Sequence, residues 1–356
     1  MDAAGAVDFT IADRAIAPGT AAIVHLPITT MATGLHSTLA IQVLHGARPG
    51  PTVFVSGAVH GDEITGTAII QRLASLLDPC ALAGTVMLIP VTNIFGFLNR
   101  SRYLPDRRDL NRSFPGTSHG SLAAQVAHVF LTEVIARCSL GIDIHSAAQH
   151  RYNLPQIRLA EGNRKLMELA EAFGPQVIIE APLRSGSMRG LAAERGIDML
   201  LLEAGEALRF DPLSVETGVV GIRRVLAHLQ MIADEPALLK VSRSAQARHT
   251  IWLRAPRGGV LLAQKTSGNA VHEGETLATV GGLFGEDSIE IRSPVEGIVI
   301  GHATLPVVHQ GDAIFHIAKV KDPLRASDQI ESISDALLTA DSEGPADPMM
   351  DEDELG

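Results

Sequence analysis

Two regimes of hydrophobic patterning divide the chain. Up to about residue 235, short and nearly continuous apolar runs at 39–43, 52–55, 85–91, 140–144, 176–179 and 199–202 predict strands. Between them, stretches at 67–77, 123–136, 163–173, 188–195 and 214–231 repeat their apolar positions at helical spacing. Strands buried along their whole length, alternating with helices, predict an α/β domain whose mostly parallel sheet is covered on both faces. From 246 to 318 the pattern changes to Gly- and Val-rich short alternations with no helical period, which predicts a small all-β domain. This second region echoes itself: residues 255–260 (APRGGV) parallel 293–299 (SPVEGIV), and 271–275 (VHEGE) parallel 308–312 (VHQGD). Two related halves of about 40 residues suggest a duplicated β unit. The expected organisation is an N-terminal extension over 1–29, the α/β domain over 30–240, the all-β domain over 241–322, and an acidic, disordered tail over 323–356.

Composition narrows the class. Of 356 residues, 46% are hydrophobic and 19% charged, which suits a compact globular protein. The formal charge of −11 argues against a nucleic-acid partner, which would need a basic face. Seven of the 40 acidic residues fall in 341–356 with no basic residue, so the rest of the chain carries 29 basic against 33 acidic groups. The two cysteines, Cys80 and Cys138, have no zinc-thiolate or disulfide-framework spacing. The first twenty residues lack the basic and apolar regions of a signal peptide, and no stretch reaches the ~20 apolar residues of a bilayer-spanning helix. A cytoplasmic protein without membrane contact is expected.

Three features carry chemistry. His60-Gly61-Asp62-Glu63 follows one predicted strand, and His145 stands at the exit of another. Two histidines and a carboxylate make up the three N/O ligands of a hydrolytic zinc site, whose fourth position takes water. Taken alone, an H-x-x-E pair is a weak signal, more often a surface His and Glu flanking a turn. The long polar connection at 92–115 contains Arg102 and then the run 108–116, RDLNRSFPG; its guanidinium and amide donors could clamp a carboxylate or simply be solvated. Glu203, directly after the apolar run 199–202, is either an acid–base group or a cap of the next segment.

In that order and at similar separations, HGDE (60–63), RDLNRSFPG (108–116), DIHS (143–146) and LLEAGE (201–206) resemble the zinc carboxypeptidase superfamily. Within it the chain is similar to the succinylglutamate desuccinylase/aspartoacylase family, over about residues 50–210. The resemblance implies a zinc-carboxypeptidase-like catalytic domain with one Zn²⁺ per chain, held by His60, Glu63 and His145. It also implies Glu203 as general base and acid, Arg102 as the group that polarises the scissile carbonyl, and Asn111 and Arg112 as the clamp for a substrate carboxylate. Arg189 matches a further substrate-binding arginine. The implied reaction is hydrolysis of the amide bond of a small, anionic N-acyl amino acid. The aspartoacylase branch has a substrate-binding Tyr in its C-terminal domain, whereas the tyrosines here are Tyr103 and Tyr152.

The all-β domain resembles a biotinyl/lipoyl-type barrel-sandwich hybrid. A carrier of that type presents a lysine at the hairpin between its halves, and none occurs between Lys265 and Lys319, which favours a scaffold or lid. The alternatives are a zinc carboxypeptidase acting on peptides and a non-catalytic ligand-binding relative. The acyl group, the amino-acid half and the oligomeric state, a homo-oligomer included, stay open at this level.

Overall fold

The computed structural model describes residues 6–31, 33–234 and 243–342. Its centre is four parallel strands in the order β6 (Ala83–Ile89), β5 (Arg48–Gly57), β7 (Leu140–Ala147), β10 (Asp198–Glu206). β6 and β7 are buried at every position, which is why β6 and the start of β7 read as nearly continuous apolar runs, with Asp143, His145 and Ser146 as the buried polar exceptions. Helices α1 (Thr65–Leu76), α4 (Arg164–Phe173) and α6 (Pro212–His228) cover one face, with Ile69, Leu73, Leu169, Phe173, Val219 and Ile222 in a common core. α3 (Leu122–Glu133) and α5 (Met188–Glu194) cover the other, around Phe54, Phe130, Met87 and Leu191. A short α2 (Ile94–Leu98) and a 3-10 turn at Leu110–Arg112 lie within the long connection.

The predicted domain boundaries need correction. Within the expected extension, β3 (Thr20–Thr30) joins the main sheet: it pairs along its length with β4 (His36–His45), which continues antiparallel onto β6. A hairpin of β1 (Phe9–Ile11) and β2 (Arg14–Ile16) precedes it. β3 escaped detection because its outward positions are exposed and only alternate residues, such as Val24 and Leu26, are buried.

Nor does the sheet stop at residue 240. β8 (Arg151–Leu159) runs antiparallel to β10, and on its other edge it pairs with β17 (Gly297–Ala303). β17 carries β19 (Ala313–Ala318), which carries β12 (Thr250–Arg254). β9 (Val177–Glu180) pairs parallel with β8 and with β11 (Ala245–Ala247). A separate antiparallel sheet has the order β16 (Ile289–Arg292), β15 (Thr276–Gly281), β13 (Gly259–Ala263), β18 (Val307–Val308), and β14 (Ala270–Val271) pairs with β17.

The expected disordered tail is also corrected at its start. Residues Pro323–Ser342 form α7, whose Ala326, Ile330, Ile333 and Leu337 are buried at helical spacing. The acidic run 351–354 lies outside the described residues.

Candidate functional site

The residues expected to hold metal come together at the C-terminal ends of β5 and β7, where an open parallel sheet gathers side chains from neighbouring strands. After β5 the chain turns tightly through His60 to Glu63 before α1 begins. The Glu63 amide donates to the His60 carbonyl (3.0 Å), and the Leu208 amide donates to the Asp62 carbonyl (2.9 Å). A Cβ at Gly61 would stand 1.9 Å from the Gly96 carbonyl carbon, so only glycine lets this turn press against α2.

Nδ1 of His60 lies 2.7 Å from Glu63 Oε1, and Nδ1 of His145 lies 2.8 Å from Glu63 Oε2. All three side chains are buried, and their ligand atoms lie within 4.8 Å of one another. This is the one such group among the described residues. The outer nitrogens face carboxylates. His145 Nε2 is 2.7 Å from Asp143 Oδ2, while His60 Nε2 is 3.3 Å from Asp109 Oδ1, close but poorly aligned for a hydrogen bond. Ser56 on the adjoining strand donates to Asp143 Oδ1 at 2.7 Å. Burial favours the neutral acid of Glu63, yet the two imidazoles outweigh it and hold its pKa far below the usual range. Burial opposes charge on His145, yet Asp143 and Glu63 outweigh it and raise its pKa well above normal. Buried carboxylates that draw protons onto histidines form a donor set that draws a divalent cation equally well. The Asp143 carboxylate on Nε2 of His145 fixes that ring with Nδ1 turned to Glu63, while Asp109 stands near Nε2 of His60. The residues therefore fit a zinc ion.

Glu203 lies on β10 in register with His145, not at the strand's end as expected, and a bulge follows before Gly205. Asn153 Nδ2 donates to Glu203 Oε2 (2.9 Å), and Arg158 Nη1 stands 3.6 Å from Oε1. Arg102 donates to Asp109 Oδ2 (2.8 Å) and to Glu63 Oε1 (3.3 Å), which puts its guanidinium beside the His60–Glu63–His145 group. Asp109 also accepts from the Asn111 amide (2.8 Å) and so shapes the 3-10 turn. Asn111 is buried and accepts from the Met188 amide at the start of α5 (2.9 Å), which ties that turn to the loop before α5. Arg112 donates to the Asn111 carbonyl (2.5 Å). Arg189 donates to the Pro182 carbonyl (3.1 Å), and its buried Nη1 has no partner among the described residues. Burial and nearby Arg158 lower its pKa to about 10.

These groups line one cavity of about 290 Å³. All eight residues singled out from the sequence border it, together with Arg151, Arg158, Arg184, Asn153 and Trp252. A larger hollow of about 890 Å³ lies beside β11 and α7 and, among the described residues, has no group of side chains placed to hold a metal. Sequence reasoning missed Asp143, Asp109, Asn153, Arg158 and Trp252 as parts of the site. Asp143 was within reach: a carboxylate two residues before a candidate ligand histidine on a strand shares its face.

The model of the succinylglutamate desuccinylase/aspartoacylase catalytic domain matches residues 49–229. The N-alpha-acetyl-L-2,4-diaminobutyric acid deacetylase of Halomonas elongata is 28% identical over 291 residues, covering 77% of this chain and 84% of that protein. The crystal structure of a succinylglutamate desuccinylase/aspartoacylase from Rhodobacter sphaeroides superposes with a TM-score of 0.75 at 26% identity, covering 85% of this chain and 95% of that one. The product-bound ectoine utilization protein EutE (DoeB) of Ruegeria pomeroyi gives 0.76 at 22% identity with the same coverage, a likeness of fold. With the domain model matching more than half its length, the chain belongs to the succinylglutamate desuccinylase/aspartoacylase family.

Proposed function

We propose that this protein is a zinc-dependent deacylase that hydrolyses the amide bond of a small, anionic N-acyl amino acid. The observation that carries the reading is the buried His60–Glu63–His145 group with Glu203 beside it on the next strand. Zn²⁺ held by those three residues would supply Lewis acidity and a water acidic enough to attack near neutral pH. Glu203 takes the proton from the attacking water at Oε1, the oxygen that Asn153 leaves free, and returns it to the departing nitrogen. The C–O bond forms, the C–N bond breaks, and a carboxylic acid and an amine leave. Arg102 donates to the carbonyl oxygen as it gains negative charge. Asn111 and Arg112 hold the amino-acid carboxylate.

The charge of the cavity supports an anionic substrate. Arg102, Arg112, Arg151, Arg158, Arg184 and Arg189 line it against Glu63, Asp143 and Glu203. The Halomonas relative is named for a substrate with a second amino group; an ammonium on the side chain would meet like charge here, so we assign this chain an acidic or neutral side chain instead. Trp252 of β12 borders the cavity, which supports a walling role for the C-terminal β region, built as a barrel-sandwich-like scaffold. A cytoplasmic setting agrees with the two free cysteines.

The test is a hydrolysis screen of N-acetyl and N-succinyl derivatives of aspartate, glutamate, alanine and 2,4-diaminobutyrate, with a C-terminal peptide panel beside it and zinc measured on each preparation. Acyl-amino acids with acidic side chains should lead, activity should vanish with chelation and return with Zn²⁺, and Glu203→Gln should lower kcat at least ~100-fold. Turnover that survives complete zinc removal, or a preference for peptides, would overturn the reading.

A further inference from the structure

We propose that Asn153 is a positioning residue that holds the Glu203 carboxylate, and that Gly301, from the C-terminal β region, keeps open the space in which it does so. The inference rests on Glu203 being the proton-transferring group proposed above.

Asn153 is buried in β8, between β10 and β17, and its cross-strand neighbours on both sides are glycines: Gly205 on β10 and Gly301 on β17. With no side chain at Gly301, the Asn153 amide has room on its β17 side, and its Nδ2 reaches Glu203 Oε2 at 2.9 Å. Asparagine suits the task. Its amide donates to a carboxylate without adding a charge that would tie up both oxygens. Among the described residues, Oε1 faces the Arg158 guanidinium at 3.6 Å, an ion-pair distance too long for a hydrogen bond. One carboxylate oxygen is fixed and the other stays available to a proton.

Gly301 controls the space. A Cβ there would approach Asn153 Oδ1 to 2.9 Å, the Tyr152 carbonyl to 3.2 Å and His316 Cβ to 3.4 Å. The tightest contact is the free end of a side chain, which can rotate away, so Gly301→Ala should fold while turning the Asn153 amide off Glu203. The substitution lies two strands from Glu203, outside the cavity lining. Through Gly301 the C-terminal region therefore bears on the geometry of the acid–base group as well as walling the cavity.

The experiment compares the zinc-loaded full chain with Asn153→Ala, Gly301→Ala and the double variant, using the best substrate of the screen. Gly301→Ala should lower kcat about 10- to 100-fold, the scale of a misplaced reacting group, with KM and bound zinc unchanged. Asn153→Ala should fall at least as far, and the double variant no further than Asn153→Ala alone, because both act through one amide. Two losses that multiply, or a Gly301→Ala variant whose main defect is in KM or zinc content, would overturn the proposal. A second readout does not need turnover: the Asn153 side-chain amide resonances, identified by their loss in Asn153→Ala, should move in Glu203→Gln. Stationary resonances would reject the clamp whatever the kinetics. A parent chain inactive on every substrate would reject the deacylase reading, leaving the resonances to decide the clamp.

Discussion

A buried histidine without a hydrogen-bond partner must stay neutral. His316 is such a residue: neither ring nitrogen has a partner among the described residues, and Trp252 stacks on it with centroids 4.1 Å apart and planes 10° from parallel. Burial, helped by the charge of Arg158, lowers its pKa from 6.5 to about 3. As pH falls below 6.5 the unfolded chain takes up a proton at this site that the folded protein refuses. Stability should then drop by about 1.4 kcal/mol per pH unit until the folded pKa is reached. His316→Phe keeps a flat ring under Trp252 and removes the proton, so its urea midpoint should fall less steeply than the parent's between pH 6.5 and 4. Parallel curves would mean that His316 does not refuse the proton. Residues differ in how far the sequence reveals them. His60, Glu63 and His145 stand in short motifs at strand exits, where type and position together suggest a metal. Asn153 and Arg158 sit in β8, which no apolar run announces, and their value comes from antiparallel pairing with β10, a contact that no local pattern encodes.

Among elements, the parallel strands and their helices were legible because each is buried on a full face or stripe, and its period is written in consecutive residues. α7 was not. Its buried positions Ala326, Ile330, Ile333 and Leu337 are separated by Asp328, Glu331 and Asp335, and the acidic residues beyond it make the whole stretch resemble a solvated tail. What holds α7 is tertiary. Ile330 packs into a cluster with Ile298, Ile300, Val177 and Ile179, Ser327 Oγ donates to the Gly268 carbonyl (2.8 Å), and Gln176 Nε2 donates to Ser334 Oγ (3.4 Å). The helix thus packs on α6 and against β14, β17 and β11, outside the active cavity. Ile330→Ala should cost about 2–4 kcal/mol in urea unfolding, the range for a truncated core aliphatic residue, while zinc content and KM stay at parental values. A loss under 0.5 kcal/mol would place α7 outside the cooperative core.

At the scale of the molecule, the change of pattern near residue 240 marks a change of architecture without a break in hydrogen bonding. One sheet runs from β3 to β12 through the β8–β17 pairing, where Asn153, Tyr152 and Arg151 lie opposite Gly301, His302 and Ala303. Thr304 Oγ1 donates to Glu206 Oε2 (3.0 Å) across the same junction, and the Thr304 amide donates to the His150 carbonyl (3.0 Å). Two regions that share a sheet, a buried seam and a cavity wall should unfold as one. The sole tryptophan, Trp252, sits in β12 at the far edge of that sheet, so its emission reports the C-terminal region, whereas far-UV circular dichroism is dominated by the helices on the α/β part. In urea, with zinc removed so that metal binding does not couple the regions, the two signals should trace one transition with one midpoint. Gly301→Ala leaves the backbone pairing intact and should keep the transitions superimposed. An earlier transition at Trp252 would show that the C-terminal region melts independently, and the geometry it lends to Glu203 would then depend on substrate or metal to hold it in place.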